Sequence, residues 1–192
     1  MEQNCKNLIE AVKQDDIICV VRLLKEGENP NVRDEFGKTP LRYAVLQDPI
    51  MVETLLKHGA DPDVADDSGV TPLHVASMFG LYDVVKLLIS YGRINVNVQD
   101  EGGRTPLHKA ATGCRSKVVW LLLINGADPN ARDSIGHTPL HGAVYRQGTD
   151  AVHKGECKVI TPLFSASPFP LLHGWDQGIA EVAHLNQPFF QK

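Results

Sequence analysis

The sequence predicts an all-α solenoid, a row of short helix-turn-helix units with projecting turns, followed by an irregular C-terminal tail. Two observations carry this. First, Gly69-Val70-Thr71-Pro72-Leu73-His74-Val75-Ala76 returns as Gly103-Arg104-Thr105-Pro106-Leu107-His108-Lys109-Ala110 and as Gly136-His137-Thr138-Pro139-Leu140-His141-Gly142-Ala143. A further copy, Gly37-Lys38-Thr39-Pro40-Leu41-Arg42-Tyr43-Ala44, has Arg for His. The threonines stand 32, 34 and 33 residues apart. Second, two other marks keep the same phase. Leu23-Leu24, Leu55-Leu56, Leu88-Ile89 and Leu122-Leu123 each precede a glycine by three residues, at Gly27, Gly59, Gly92 and Gly126. Asp precedes Gly by three at Asp34/Gly37, Asp66/Gly69, Asp100/Gly103 and Asp133/Gly136.

Each mark has a local physical reason, taken here from the unit around Thr71. The Thr71 hydroxyl suits an N-cap, where it accepts an orphan backbone N–H. Pro72 follows at the first helical position, where its fixed φ helps and its missing N–H costs nothing. Leu73 and Ala76 share one helical face. Gly80 ends this helix, and a second begins near Asp83, whose charge suits a helix N-terminus. Val84, Val85, Leu87 and Leu88 form its apolar stripe, and Gly92 supplies a left-handed terminator. Asp66 to Gly69 reads as a type I turn. A pair of helices this short cannot bury both apolar sides alone, so the units must stack.

The pattern resembles the ankyrin repeat, over residues 4 to about 147. In chain order, residues 4–32 make a first unit with Leu8, Ile9, Ala11 and Val12 inward and a polar outer side, as an N-terminal end unit needs. Its second helix is expected from Ile17 to Lys25, opened by Asp15-Asp16. Residues 34–64 make the second unit, whose inter-helix turn Gln47-Asp48-Pro49 is one residue short; Pro49 is expected to absorb the deletion in the first turn of the next helix. Units three and four are 66–98 and 100–132. The fifth, 133–147, is partial: its Leu-Leu pair should fall at Gly155 and Glu156, so only the helix from Pro139 to about Arg146 is expected.

Residues 148–192 read as a non-repeat tail. Thr161-Pro162-Leu163-Phe164-Ser165-Ala166 imitates a unit start but comes 23 residues after Thr138, and Pro168 and Pro170 would cut its helix short. The tail is expected to be a poorly ordered, apolar extension; the alternative is that it folds back over the last helix. The abrupt stop near Tyr145 is the pattern expected of a truncated or alternatively spliced form of a longer protein, with a genuine end cap as the alternative.

The chain has 192 residues and a net charge of −4. No Lys/Arg run offers the clustered positive surface that nucleic acid requires. No stretch is apolar for long enough to span a membrane. Cys5, Cys19, Cys114 and Cys157 are widely separated, and reduced thiols in a cytoplasmic or nuclear protein are expected.

No catalytic grouping and no cofactor or metal site is expected. His74, His108 and His141 recur once per unit, but neighbouring units lie about 10 Å apart, too far to share one ion's inner shell. The resemblance implies instead that these histidines tie turn to helix. It also implies protein binding through a concave face of turn tips and first helices. The residues that the stack itself does not need are the candidates: Phe36, Lys38, Tyr43, Leu46, Met78, Phe79, Arg104, Lys109, Ile135, His137, Tyr145 and Arg146. Asn130, in Gly126-Ala127-Asp128-Pro129-Asn130, resembles the asparagine that hydroxylases modify in some ankyrin proteins; the plainer reading is a turn residue bonding its own backbone. The expected function is an adaptor or scaffold binding another protein. The alternatives are an inhibitor masking a kinase or transcription factor, or a ubiquitin-ligase substrate receptor. A monomer is expected, with association through an open C-terminal end as the alternative.

Overall fold

The computed structural model describes residues 7–91, 94–146 and 163. Among them lie nine short helices and no strand: α1 (Leu8–Lys13), α2 (Ile17–Lys25), α3 (Pro40–Ala44), α4 (Pro49–Lys57), α5 (Pro72–Phe79), α6 (Tyr82–Ser90), α7 (Pro106–Thr112), α8 (Ser116–Ile124) and α9 (Pro139–Arg146). Odd-numbered helices are the first of each unit and even-numbered ones the second. First helices pack on one another along the row, α1 on α3, α3 on α5, α5 on α7 and α7 on α9, and second helices α4, α6 and α8 pack likewise.

The helix starts follow from their capping chemistry. Thr39, Thr71 and Thr105 are extended N-caps whose hydroxyls accept the N–H of the third helical residue, with Pro next in line. Asn7, Asp16 and Asp48 cap α1, α2 and α4 with side-chain oxygens. The expected bounds of α2 hold, and Pro49 opens α4 as its first residue, which is how unit two tolerates its missing residue. Gly80 ends α5 at φ +74°. Gly27, Gly59 and Gly126 take left-handed φ beyond α2, α4 and α8; Gly92, their counterpart, lies outside the described residues.

The core runs the length of the stack. Leu41, Leu73 and Leu107, third in their Thr-Pro-Leu, are fully buried and Leu140 in the last copy is half-buried, while Ala44, Ala76, Ala110 and Ala143 are all fully buried. Burying one such leucine contributes about 1.5–3 kcal/mol. Leu163 belongs to the same buried core and is helical. The rest of the predicted tail lies outside the described residues.

One expectation is overturned. Cys19 and Cys114 are each disulfide-bonded, and no cysteine among the described residues is free. Separation along the sequence says nothing about separation in space, which is what pairs thiols. The argument for a reducing compartment therefore loses its ground. Among the described residues no helix is long and apolar enough to cross a membrane.

Candidate protein-binding face

The turn tips are built around one aspartate each. One carboxylate oxygen accepts the N–H groups two and four residues on: Asp34 from Phe36 and Lys38, Asp66 from Ser68 and Val70, Asp100 from Gly102 and Arg104, Asp133 from Ile135 and His137. The turn closes with the glycine N–H donating back to the aspartate carbonyl at 2.8–3.0 Å. Successive tips are then joined by single backbone bonds, Asp67 N–H to Phe36 O, Glu101 N–H to Ser68 O and Ser134 N–H to Gly102 O.

The second carboxylate oxygen reaches further. Asp34 accepts the Tyr43 hydroxyl at 2.5 Å, and Asp100 holds the Lys109 ammonium at 2.6 Å. Tyr43 and Lys109 occupy the same place in their helices, so a phenol and an amine make equivalent links. Asp66 faces Arg42 at 3.6 Å and Asp133 faces Arg104 at 3.7 Å, ion pairs across units that are too long for hydrogen bonds. Burial pushes Asp100 up, but the Lys109 hydrogen bond and the Arg104 N–H outweigh it and hold the carboxyl below the usual range. The same bond to Asp34, with burial, pushes the Tyr43 phenol up to about 12.

The repeated histidines work harder than the sequence suggests. His74 Nδ1 accepts the Thr71 backbone N–H at 3.2 Å and lies 2.9 Å from its hydroxyl. An Nδ1 that accepts leaves the proton on Nε2, which donates to the Arg104 carbonyl of the next unit at 2.8 Å. His108 repeats the arrangement, with Nε2 donating to the His137 carbonyl at 3.0 Å. Each ring thus pins its own helix start and the following turn. Burial lowers the pKa of both. His141 bonds Thr138 in the same way, and its ring stacks on His137 with centroids 5.4 Å apart. No group of three metal-ligating side chains is assembled among the described residues.

Several large apolar side chains stand exposed on or beside the tips and first helices, among polar ones such as Glu35, Ser68, Glu101 and Ser134. Phe36 is 57% exposed, Leu46 52%, Met78 and Phe79 47% each, and Ile135 67%. Arg104 and His137 are exposed beside them, and Lys38 lies over the Phe36 ring at 5.2 Å. Tyr43 is half-buried by its bond to Asp34 and by Lys13, which sits 4.5 Å from its ring centroid. Lys109 is likewise half-buried by Asp100. The side chains of Tyr145 and Arg146 lie outside the described residues.

Asn130 donates its backbone N–H to Asp128. Its counterparts Asn31 and Asn97 bridge to the next unit. Asn97 donates to the Gly126 carbonyl and accepts from Asp128 N–H, while Asn31 does the same to Gly59 and Asp61. A feature the sequence reading missed is a groove of about 500 Å³ on the second helices, lined by Tyr82, Ser116, Lys117 and Trp120. The signal was present: Trp120 occupies the place in α8 that Val21, Glu53 and Lys86 hold in α2, α4 and α6.

A family model described as ankyrin repeats (3 copies) matches residues 8–100, 47–133 and 93–154. An ankyrin repeat protein of Pyrobaculum aerophilum is 39% identical over 162 residues, covering 73% of this chain and 63% of that protein. An ankyrin repeat protein of Acanthamoeba polyphaga mimivirus is 47% identical over 58 residues, 30% of this chain and 8% of that protein. The chain therefore spans less than two thirds of either relative.

Proposed function

The chain belongs to the ankyrin-repeat protein family, whose repeats generally mediate protein–protein interactions, and from that premise we propose that it is a non-catalytic adaptor or scaffold module. It binds another protein through the concave face, and residues 4–147 form the domain that does so. The observation that carries the reading is the set of exposed apolar side chains on tips and first helices, Phe36, Leu46, Met78, Phe79 and Ile135. Buried aromatic anchors ringed by polar groups are what binding hot spots consist of. Arg104, Lys38 and His137 supply the polar rim. Tyr43 and Lys109, half-buried against Asp34 and Asp100, serve the frame first and the partner second.

The test is affinity capture from extract with three baits: the intact chain, the chain ending at Gln147, and a Phe36→Asp/Phe79→Asp variant. Both phenylalanines are outside the core, so the variant retains the helical circular dichroism of the parent. A partner held by the first two baits and lost from the third supports the face. Binding that survives in the folded double variant refutes it.

A further inference from the structure

α9 is covered in part, since Leu140 and His141 are half-buried where Leu73, Leu107, His74 and His108 are buried. α9 packs on α7 and has no second helix of its own among the described residues, yet its Ala143 is 0% exposed. Leu163 is helical, 1% exposed and part of the same core. It stands third in Thr161-Pro162-Leu163-Phe164-Ser165-Ala166, the place that Leu41, Leu73 and Leu107 hold in their units, all of them helical and fully buried.

We infer that the outer side of α9 is an intramolecular docking surface, and that it takes residues 161–166 in repeat register as the opening of a sixth unit. The phase supports this. Thr161 follows Thr138 by 23 residues where the preceding spacing is 33, so ten residues are missing. Each second helix from α2 to α8 is nine residues long. The shortfall is one second helix, and it falls where the Leu-Leu pair and its glycine are absent. Chain length permits the return. The 14 residues from 147 to 160 reach up to about 46 Å extended. The path back along an eight-residue helix is about 12 Å, and one unit sideways adds about 10 Å. The occupant is the chain's own segment, not a second copy, because Leu163 is already buried in a single chain.

The test is amide hydrogen exchange across α9 in the full chain, with Leu163→Asp and Ser165→Lys. Ser165 occupies the place of Lys109, where a lysine is accommodated, so this variant should keep parental protection. Leu163→Asp should lower protection of the α9 amides by about tenfold or more and leave α3 to α6 unchanged. If Leu163→Asp unfolds the whole chain, Leu163→Ala gives the same local loss at smaller amplitude. Unchanged α9 protection in Leu163→Asp overturns the proposal. Equal losses in both variants overturn the register. Sedimentation supplies the last check: a parental dimer that Leu163→Asp converts to monomer would make a second copy the occupant, and a monomer in both supports the segment.

Discussion

His74 shows how much one side chain settles. Its two ring nitrogens join Thr71 to the Arg104 carbonyl thirty residues away. Replacing it by Ala leaves both partners unsatisfied in a buried setting and should cost about 1–3 kcal/mol, read from urea unfolding. The pH dependence follows from the same bonds. Burial first, against the opposing pull of the Arg104 carbonyl, lowers the ring below its ordinary 6.5, and burial does the same to His108. Below 6.5 the unfolded chain binds protons that the folded chain refuses. This stability is therefore complete above the ordinary value and is lost as pH falls through the lowered ones. Urea midpoints should fall between about pH 7.5 and about pH 5, and His74→Gln should shallow that fall.

Among the elements, the tips and the helix ends use glycine for different reasons. Gly103 has φ +71° and an added Cβ would sit 2.7 Å from the Ser134 nitrogen, because the next tip bonds across it. Gly126 has φ +87° with nothing within 4 Å. Gly126→Ala should therefore cost only the left-handed strain, about 1–2 kcal/mol. Gly103→Ala adds a backbone collision and should cost about 2–4 kcal/mol. Parallel denaturant titrations of the two variants check the ratio. The helices themselves are five to nine residues long, too short to persist alone in water. Their caps decide where they start, and the stack decides that they exist.

At the scale of the molecule, stability is carried by links between neighbouring units. Units three and four are joined by His74 to Arg104, by Asn97 to Gly126 and Asp128, and by Arg115 to the Met78 carbonyl. A linear array unfolds as one body only while such interface terms outweigh the differences between units. The single variants His74→Ala and Asn97→Ala should each retain one calorimetric transition. The double variant should broaden or split it, with a coupling energy that the singles do not predict. A single sharp transition in the double variant would place the coupling in apolar contact alone.

The sequence by itself determined the architecture, because each local rule in it has a period. Thr-Pro-Leu sets the helix starts, Asp with Gly three later sets the tips, and a recurrence near 33 demands stacking. Even Pro49 was legible, since a proline has one comfortable place in a helix. What only the tertiary structure decided is which side chains are spent on the frame. Tyr43 and Phe36 look alike in a list of candidate contacts. Asp34 takes the phenol of one, and the other has no group to be taken. Lys109 and Arg104 look alike as cations, yet Asp100 lies 2.6 Å from the first and Asp133 3.7 Å from the second. The reach of His74 into the next unit, the exposure of Trp120 and the burial of Leu163 belong to the same class. Each depends on the distance between residues far apart in the chain, and spacing along a sequence carries no such distance until the units are stacked.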